Sequence, residues 1–172
     1  MTIQDYNAMA DAADRLGVPV RWLMELIWFE TGGTLDPLAH NPDSSARGLI
    51  QFTDVTARGM GFGSAADLVA KHPTIPAQMP LVVSYLRPYR PFPAKQSLFM
   101  AVFNPGFRYV PEDTEFSARD QAANPGIRTV GDYMRKADFW ARTLPAIGAG
   151  AALVLVAAAS LLWYLQRSGR IS

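Results

Sequence analysis

Glu30 is the residue whose type and setting point most directly to chemistry. A helix opening at Pro19 and running to about Thr31, where Gly32 and Gly33 stop it, places Leu23, Leu26 and Ile27 within about 60° of Glu30 at 100° per residue. A carboxylate thus continues the apolar stripe of its own helix. Two effects are expected to hold its proton: desolvation by those neighbours and the negative end of the helix dipole. A glutamic acid kept protonated near neutral pH can give its proton to a leaving oxygen and take one back, which is general acid–base chemistry of the kind glycosidic bond cleavage needs. Glu25 offers the contrast, on the opposite side of the same helix and one turn from Arg21, as an ordinary solvated partner. A helix-end glutamate whose head reaches water is the competing reading of Glu30. The helix alone does not decide between them.

The elements that must position Glu30 read mostly as short helices. Tyr6, Met9, Ala13 and Leu16 recur at helical spacing, with Gly17 as the stop. A polar loop occupies 34–47, and residues 48–52 form a short apolar stretch. A helical turn or two is expected in 53–60, and Ser64 is a good N-cap for a helix at 65–70. Pro73, Pro76 and Pro80 mark a loop before a helix at 81–86, which Pro88, Pro91 and Pro93 close. Residues 97–103 read as an apolar helix ending at Asn104-Pro105-Gly106. The polar stretch 111–124 reads as a mobile flap. Val130, Tyr133, Met134 and Ala137 then give helical periodicity over 129–144, running on into the apolar segment that follows. No repeat and no alternating strand pattern is visible, so residues 1–140 are expected to form one mainly α domain.

Composition narrows the classes. The 172 residues hold 16 basic and 15 acidic side chains, a net charge of +1 that gives no argument for nucleic-acid binding. The absence of cysteine excludes disulfides and thiolate metal sites, and His40 and His72 have no ligand spacing around them, so no metal or organic cofactor is expected. From Leu144 to Leu165 no residue is charged, a run of about 33 Å as helix, which matches a bilayer core. Trp140 and Arg142 precede it, Trp163 and Tyr164 lie near its far end, and Arg167 and Arg170 follow. Pro145 suits a first helical turn, and Gly148 with Ala152 would give one small-residue face. A membrane span over 141–166 and a basic tail over 167–172 are therefore expected. Residues 1–17 carry Asp5, Asp11 and Asp14 without a continuous apolar core, unlike a signal peptide.

Three short motifs follow one another in order: Glu30-Thr31 at a helix end, Gly48-Leu49-Ile50-Gln51, and Ala101-x-Phe103-Asn104-x-Gly106. In this order the sequence resembles the soluble lytic transglycosylase family, a branch of the lysozyme-like superfamily, over roughly residues 18–137. That family shows Glu-Ser, Gly-Leu-Met-Gln and Ala-x-Tyr-Asn-x-Gly, with a later tyrosine matched here by Tyr133. Tyr85-Leu86, before the third motif, also fits. Thr31 keeps the hydroxyl of the family serine, Ile50 is an apolar exchange for methionine, and Phe103 lacks the phenolic hydroxyl that lies near the family's acid.

The resemblance implies a lysozyme-like fold and cleavage of the β-1,4 bond between N-acetylmuramic acid and N-acetylglucosamine, with a 1,6-anhydro product. Glu30 would be the single acid and base, with Thr31, Ser45, Gln51, Phe103, Asn104 and Tyr133 against the sugars. Gln51 would hydrogen-bond the glycan or tie down its own loop, and Asn104 would do likewise or end a helix. Arg108 and Arg119 would meet acidic peptide stems or stay solvated. A hydrolytic lysozyme needs a second carboxylate, for which Asp36, Asp43 and Asp54 are the candidates, although all three read first as turn or cap residues. The expected partners are peptidoglycan strands, a lipid membrane through the span, and other virion or envelope proteins. The Gly-Leu-Ile-Gln-Phe-Thr form is similar to phage-borne transglycosylases, which implies a virion protein acting on the host wall during genome entry. An enzyme of a bacterial secretion apparatus, an inactive wall-binding virion protein and a pore-forming peptide built on the span are the alternative readings.

Overall fold

A computed structural model of the chain describes residues 1–145. Their secondary structure is helical, in eight α-helices with no strand among the described residues and only isolated bridges between extended residues. Helix α1 (Ile3–Leu16) starts on a reciprocal cap in which Thr2 Oγ1 accepts from the Asp5 N–H and Asp5 accepts from the Thr2 N–H. It buries Met9, Ala12, Ala13 and Leu16, and the Gly17 N–H donates to the Ala13 and Asp14 carbonyls at its end. Helix α2 (Val20–Glu30) follows Pro19 and buries Leu23, Met24, Leu26 and Ile27. It is packed against α1, α6 (Lys95–Phe103) and α8 (Val130–Ala141).

Between α2 and α6 lie α3 (Asp54–Gly59), capped by Thr53, and α4 (Ala65–Lys71), capped by Ser64 as its sequence predicts. Helix α5 (Ile75–Leu86) departs from expectation, because it starts six residues earlier and contains Pro80. Thr74 caps it by accepting from the Ala77 N–H, and Pro76 stands in the first turn, where its missing N–H costs nothing. Pro80 removes one helical bond, at a cost of roughly 3 kcal/mol in an ordinary interior. Burial of Ile75, Met79, Val82, Val83 and Leu86 along one stripe offsets that cost, and the Pro80 ring itself faces solvent.

The polar stretch 111–124 is built into the fold, which corrects the mobile-flap reading. Phe116 is buried, 5.1 Å from the Phe103 ring and 4.9 Å from Phe107, and its N–H donates to the Arg128 carbonyl. Ser117 then caps α7 (Ala118–Ala123). The Val130 and Gly131 N–H groups also donate to the Thr114 and Glu112 carbonyls, so a segment whose other residues give no hydrophobic signal is held by one aromatic side chain together with backbone hydrogen bonds. Helix α8 also ends sooner than expected. It closes at Ala141, and a turn through Arg142 and Thr143 follows, in which Thr143 Oγ1 donates to the Trp140 carbonyl and accepts from Trp28 Nε1–H at 3.0 Å. The helix therefore does not run straight on through Leu144. Among the described residues no helix is long and apolar enough to cross a membrane. Apart from residues 141–145, the expected span and the basic tail lie outside the described residues.

Candidate active site

Glu30 is the last residue of α2, and its carboxyl forms part of the wall of a cleft of about 360 Å³. One side of the cleft is the end of α2, from Phe29 to Gly32. The other is the following loop, through Ala39, His40, Asn41, Ala46 and Gln51. Leu23, Leu26 and Ile27 are fully buried beneath, as the helical stripe predicts. The Tyr133 hydroxyl, from the first turns of α8, donates to Glu30 Oε1 at 3.3 Å. Burial pushes the Glu30 carboxyl up from 4.5 to about 7, and the Tyr133 bond pulls the other way. The same burial, together with the Glu30 charge, holds the Tyr133 hydroxyl well above its ordinary value. Tyr85 of α5 also feels Glu30. Burial is the main reason its hydroxyl is pushed up to about 12, with Tyr89 and Glu30 adding to it. The result is an acid poised between its two protonation states near neutral pH.

The loop opposite Glu30 is a tight backbone construction. Arg47 and Phe52 exchange two backbone hydrogen bonds, of 3.0 and 2.8 Å, and enclose Gly48 to Gln51. Gly48 has φ of +81°, and a Cβ there would stand 2.7 Å from Gln78 Oε1. Gln51 has φ of +53°, a left-handed conformation that side chains beyond glycine and asparagine rarely adopt. Its Nε2 donates to the Gly48 carbonyl at 3.0 Å and to Ala39 at 3.4 Å, so the amide nitrogen is spent on the loop and the rest of the side chain lines the cleft.

Gln78 of α5 anchors the whole loop. It is fully buried, its Oε1 accepting from the Leu49 N–H while its Nε2 donates to the Pro37 and His72 carbonyls. The sequence carried a signal for it, a polar residue in the stripe between Ile75 and Val82, but one hidden by the loop assignment that the prolines suggest.

The remaining sequence-nominated residues divide. Thr31 is buried, and its hydroxyl donates to the Ile27 carbonyl and accepts from the Leu35 N–H, so it serves the turn after α2 rather than a ligand. Ser45 is exposed and accepts from the Asp54 N–H, away from the cleft lining. Phe103 packs its ring 4.5 Å from Tyr133 and backs that side chain instead of facing the cleft. Asn104 caps the turn that follows α6, accepting from the Gly106 N–H, and its Nδ2 reaches Asp120 at 3.5 Å. Of the nominated set, the structure brings together Glu30, Thr31 and Gln51 at the cleft and sets Tyr133 on Glu30. Comparison with family models, with curated proteins and with solved structures finds no match to this chain.

The candidate second carboxylates are occupied or remote. Asp36 accepts from the Leu38 N–H in a turn. Asp54 is not the cap of α3 but its first residue, accepting from the Ala65 N–H. Asp43 is exposed and absent from the cleft wall. Glu30 is thus the one carboxylate among the described residues lining the cleft, and His40 is the other titratable group there. No cluster of metal-ligating side chains occurs among the described residues. Arg108 lies against the rings of Tyr89 and Tyr109 and donates to the Pro105 carbonyl at 2.6 Å.

Glu25 overturns its expected role as a solvated control. The Arg21 pair forms, at 2.7 Å, yet Glu25 is only 5% exposed and also accepts from Lys95 Nζ at 3.1 Å. The face of α2 opposite Glu30 is covered by α6, which the pattern of one helix cannot reveal. A larger hollow of about 630 Å³ lies elsewhere on α2, between Met24, Trp28, Leu35 and Ile75. It contains neither Glu30 nor Gln51, so chemistry rather than volume picks out the smaller cleft.

Proposed function

We propose that the chain is a peptidoglycan lytic transglycosylase that cuts the bond between N-acetylmuramic acid and N-acetylglucosamine. The observation that carries this reading is one glutamic acid, buried enough to titrate near 7, at the wall of an open cleft with no second carboxylate beside it. Glu30 protonates the leaving glycosidic oxygen. It then accepts the proton of the muramyl 6-hydroxyl as that oxygen closes on C1, so that one bond breaks, one forms, and the proton account balances on a single residue. Intramolecular attack replaces the water-activating base that a hydrolase needs, and its effective molarity supplies the advantage. The order of Glu30-Thr31, Gly48-Leu49-Ile50-Gln51 and Ala101-x-Phe103-Asn104-x-Gly106 supports the same assignment.

Tyr133 steadies the carboxylate once the proton has left, because its donated hydrogen bond favours the charged form. In the resembling family a tyrosine at the Phe103 position lies near the acid. In this chain the hydroxyl comes from α8, and Phe103 supports it from behind. Gln51 offers its amide oxygen and backbone to the sugar N-acetyl and hydroxyl groups.

The span over residues 144–165 would tether the enzyme to a membrane, with a virion as its carrier and the host wall as its substrate during genome entry. Clearing of purified sacculi tests the activity. Wild-type protein is expected to lower turbidity, and Glu30→Gln is expected to leave it unchanged. Equal clearing by that variant would remove Glu30 from the reaction.

A further inference from the structure

Helices α2 and α8 are linked at two polar points, one direct and one bridged by Lys95 of α6. One is the Tyr133–Glu30 hydrogen bond. The other lies five residues back along α2, at Glu25, and five residues on along α8, at Asp138. The direct and the bridged link are separated by about 7.5 Å along each helix. Lys95, in the first turn of α6, joins the second point by donating to Glu25 Oε2 at 3.1 Å and to Asp138 Oδ1. Its ammonium also lies 5.8 Å from the Phe99 ring, and Phe99 packs in turn on Phe29 beside Glu30. Lys95 has 22% of its side chain exposed against 54% for Asp138, so the cation is the sheltered hub.

Buried ion pairs add little net stability, since desolvation consumes most of the attraction, and their best-attested use is to fix register. The register matters here. A bond of 3.3 Å is close to the limit of a hydrogen bond, and sliding α8 by the 1.5 Å rise of one residue would break it. We propose that Lys95 is a positioning residue, which grips Glu25 and Asp138 together and so holds the Tyr133 hydroxyl on Glu30. Its catalytic meaning rests on the reading of Glu30 as the acid. The positioning itself is read on the Glu30 carboxyl, so a failure of one can be told from a failure of the other. The groups that face Glu30 are Tyr133 from α8, Tyr85 from α5 and His40 from the loop across the cleft.

The test is an NMR titration of the Glu30 carboxyl carbon in the full chain, held in detergent, for the wild type, Lys95→Met, Lys95→Arg, Tyr133→Phe and the Lys95→Met/Tyr133→Phe pair. Tyr133→Phe raises the Glu30 midpoint. Lys95→Met is expected to raise it by a similar amount, to add nothing when Tyr133 is already lost, and to be reversed by Lys95→Arg. Asp138→Asn, at a half-exposed position, is expected to shift it in the same direction and covers the case in which Lys95→Met does not fold. An unchanged midpoint in Lys95→Met and Asp138→Asn would overturn the proposal. So would a shift that persists in full without Tyr133, because that would be the mere loss of a nearby positive charge.

Discussion

Glu30 costs the folded chain stability in return for a usable proton. Its pKa is higher folded than in an open chain, so the folded state binds the proton more tightly. Stability therefore falls as pH rises from about 4.5 to about 7 and stays at the lower level above that. Glu30→Gln removes the penalty. The variant is expected to match the wild type below pH 4.5 and to exceed it by about 3 kcal/mol at pH 8, in urea unfolding followed at both pH values. Tyr133 acts in the opposite sense. Tyr133→Phe should move the basic limb of the pH–rate profile, expected near 7 in the wild type, to higher pH. Below that limb it should lower turnover by roughly five- to tenfold, the worth of one hydrogen bond of about 1 kcal/mol. A basic limb that stayed in place would mean that the bond is not made in solution.

At the scale of elements, the loop opposite the acid is held by Gln78 and Gly48 together. Gln78→Leu leaves the Leu49 N–H and the Pro37 and His72 carbonyls without that partner and is expected to destabilise the fold by roughly 2–4 kcal/mol in thermal or urea unfolding. Much of the helical frame was legible in the sequence, because caps and stops are local: Pro19, Ser64 and Gly17 stand at or beside the boundaries they predict. The apolar stripe under Glu30 was legible for the same reason. What one segment cannot reveal is what another segment covers. The burial of Glu25 under α6, the anchoring of 111–124 by Phe116, and the committed hydroxyls of Thr31 and Ser45 all depend on partners far away in sequence or on backbone turns. The start of α5 was missed because three prolines outweigh an apolar stripe in a local reading, while in the fold the stripe wins.

For the whole molecule, the described domain carries the cleft, and the charge-free run from Leu144 is proposed as its tether. A chain ending at Pro145 is expected to clear sacculi yet no longer float with phospholipid vesicles, whereas the full chain does both. Flotation of the shortened chain would place the membrane contact on the domain instead. Glu30 is proposed to act without a second catalytic carboxylate, and the products of digestion separate that chemistry from hydrolysis. Mass spectrometry of muropeptides released from purified sacculi should show 1,6-anhydro-muramyl ends, absent with Glu30→Gln. Products ending in a reducing N-acetylmuramic acid, with one water added at each cut, would contradict it.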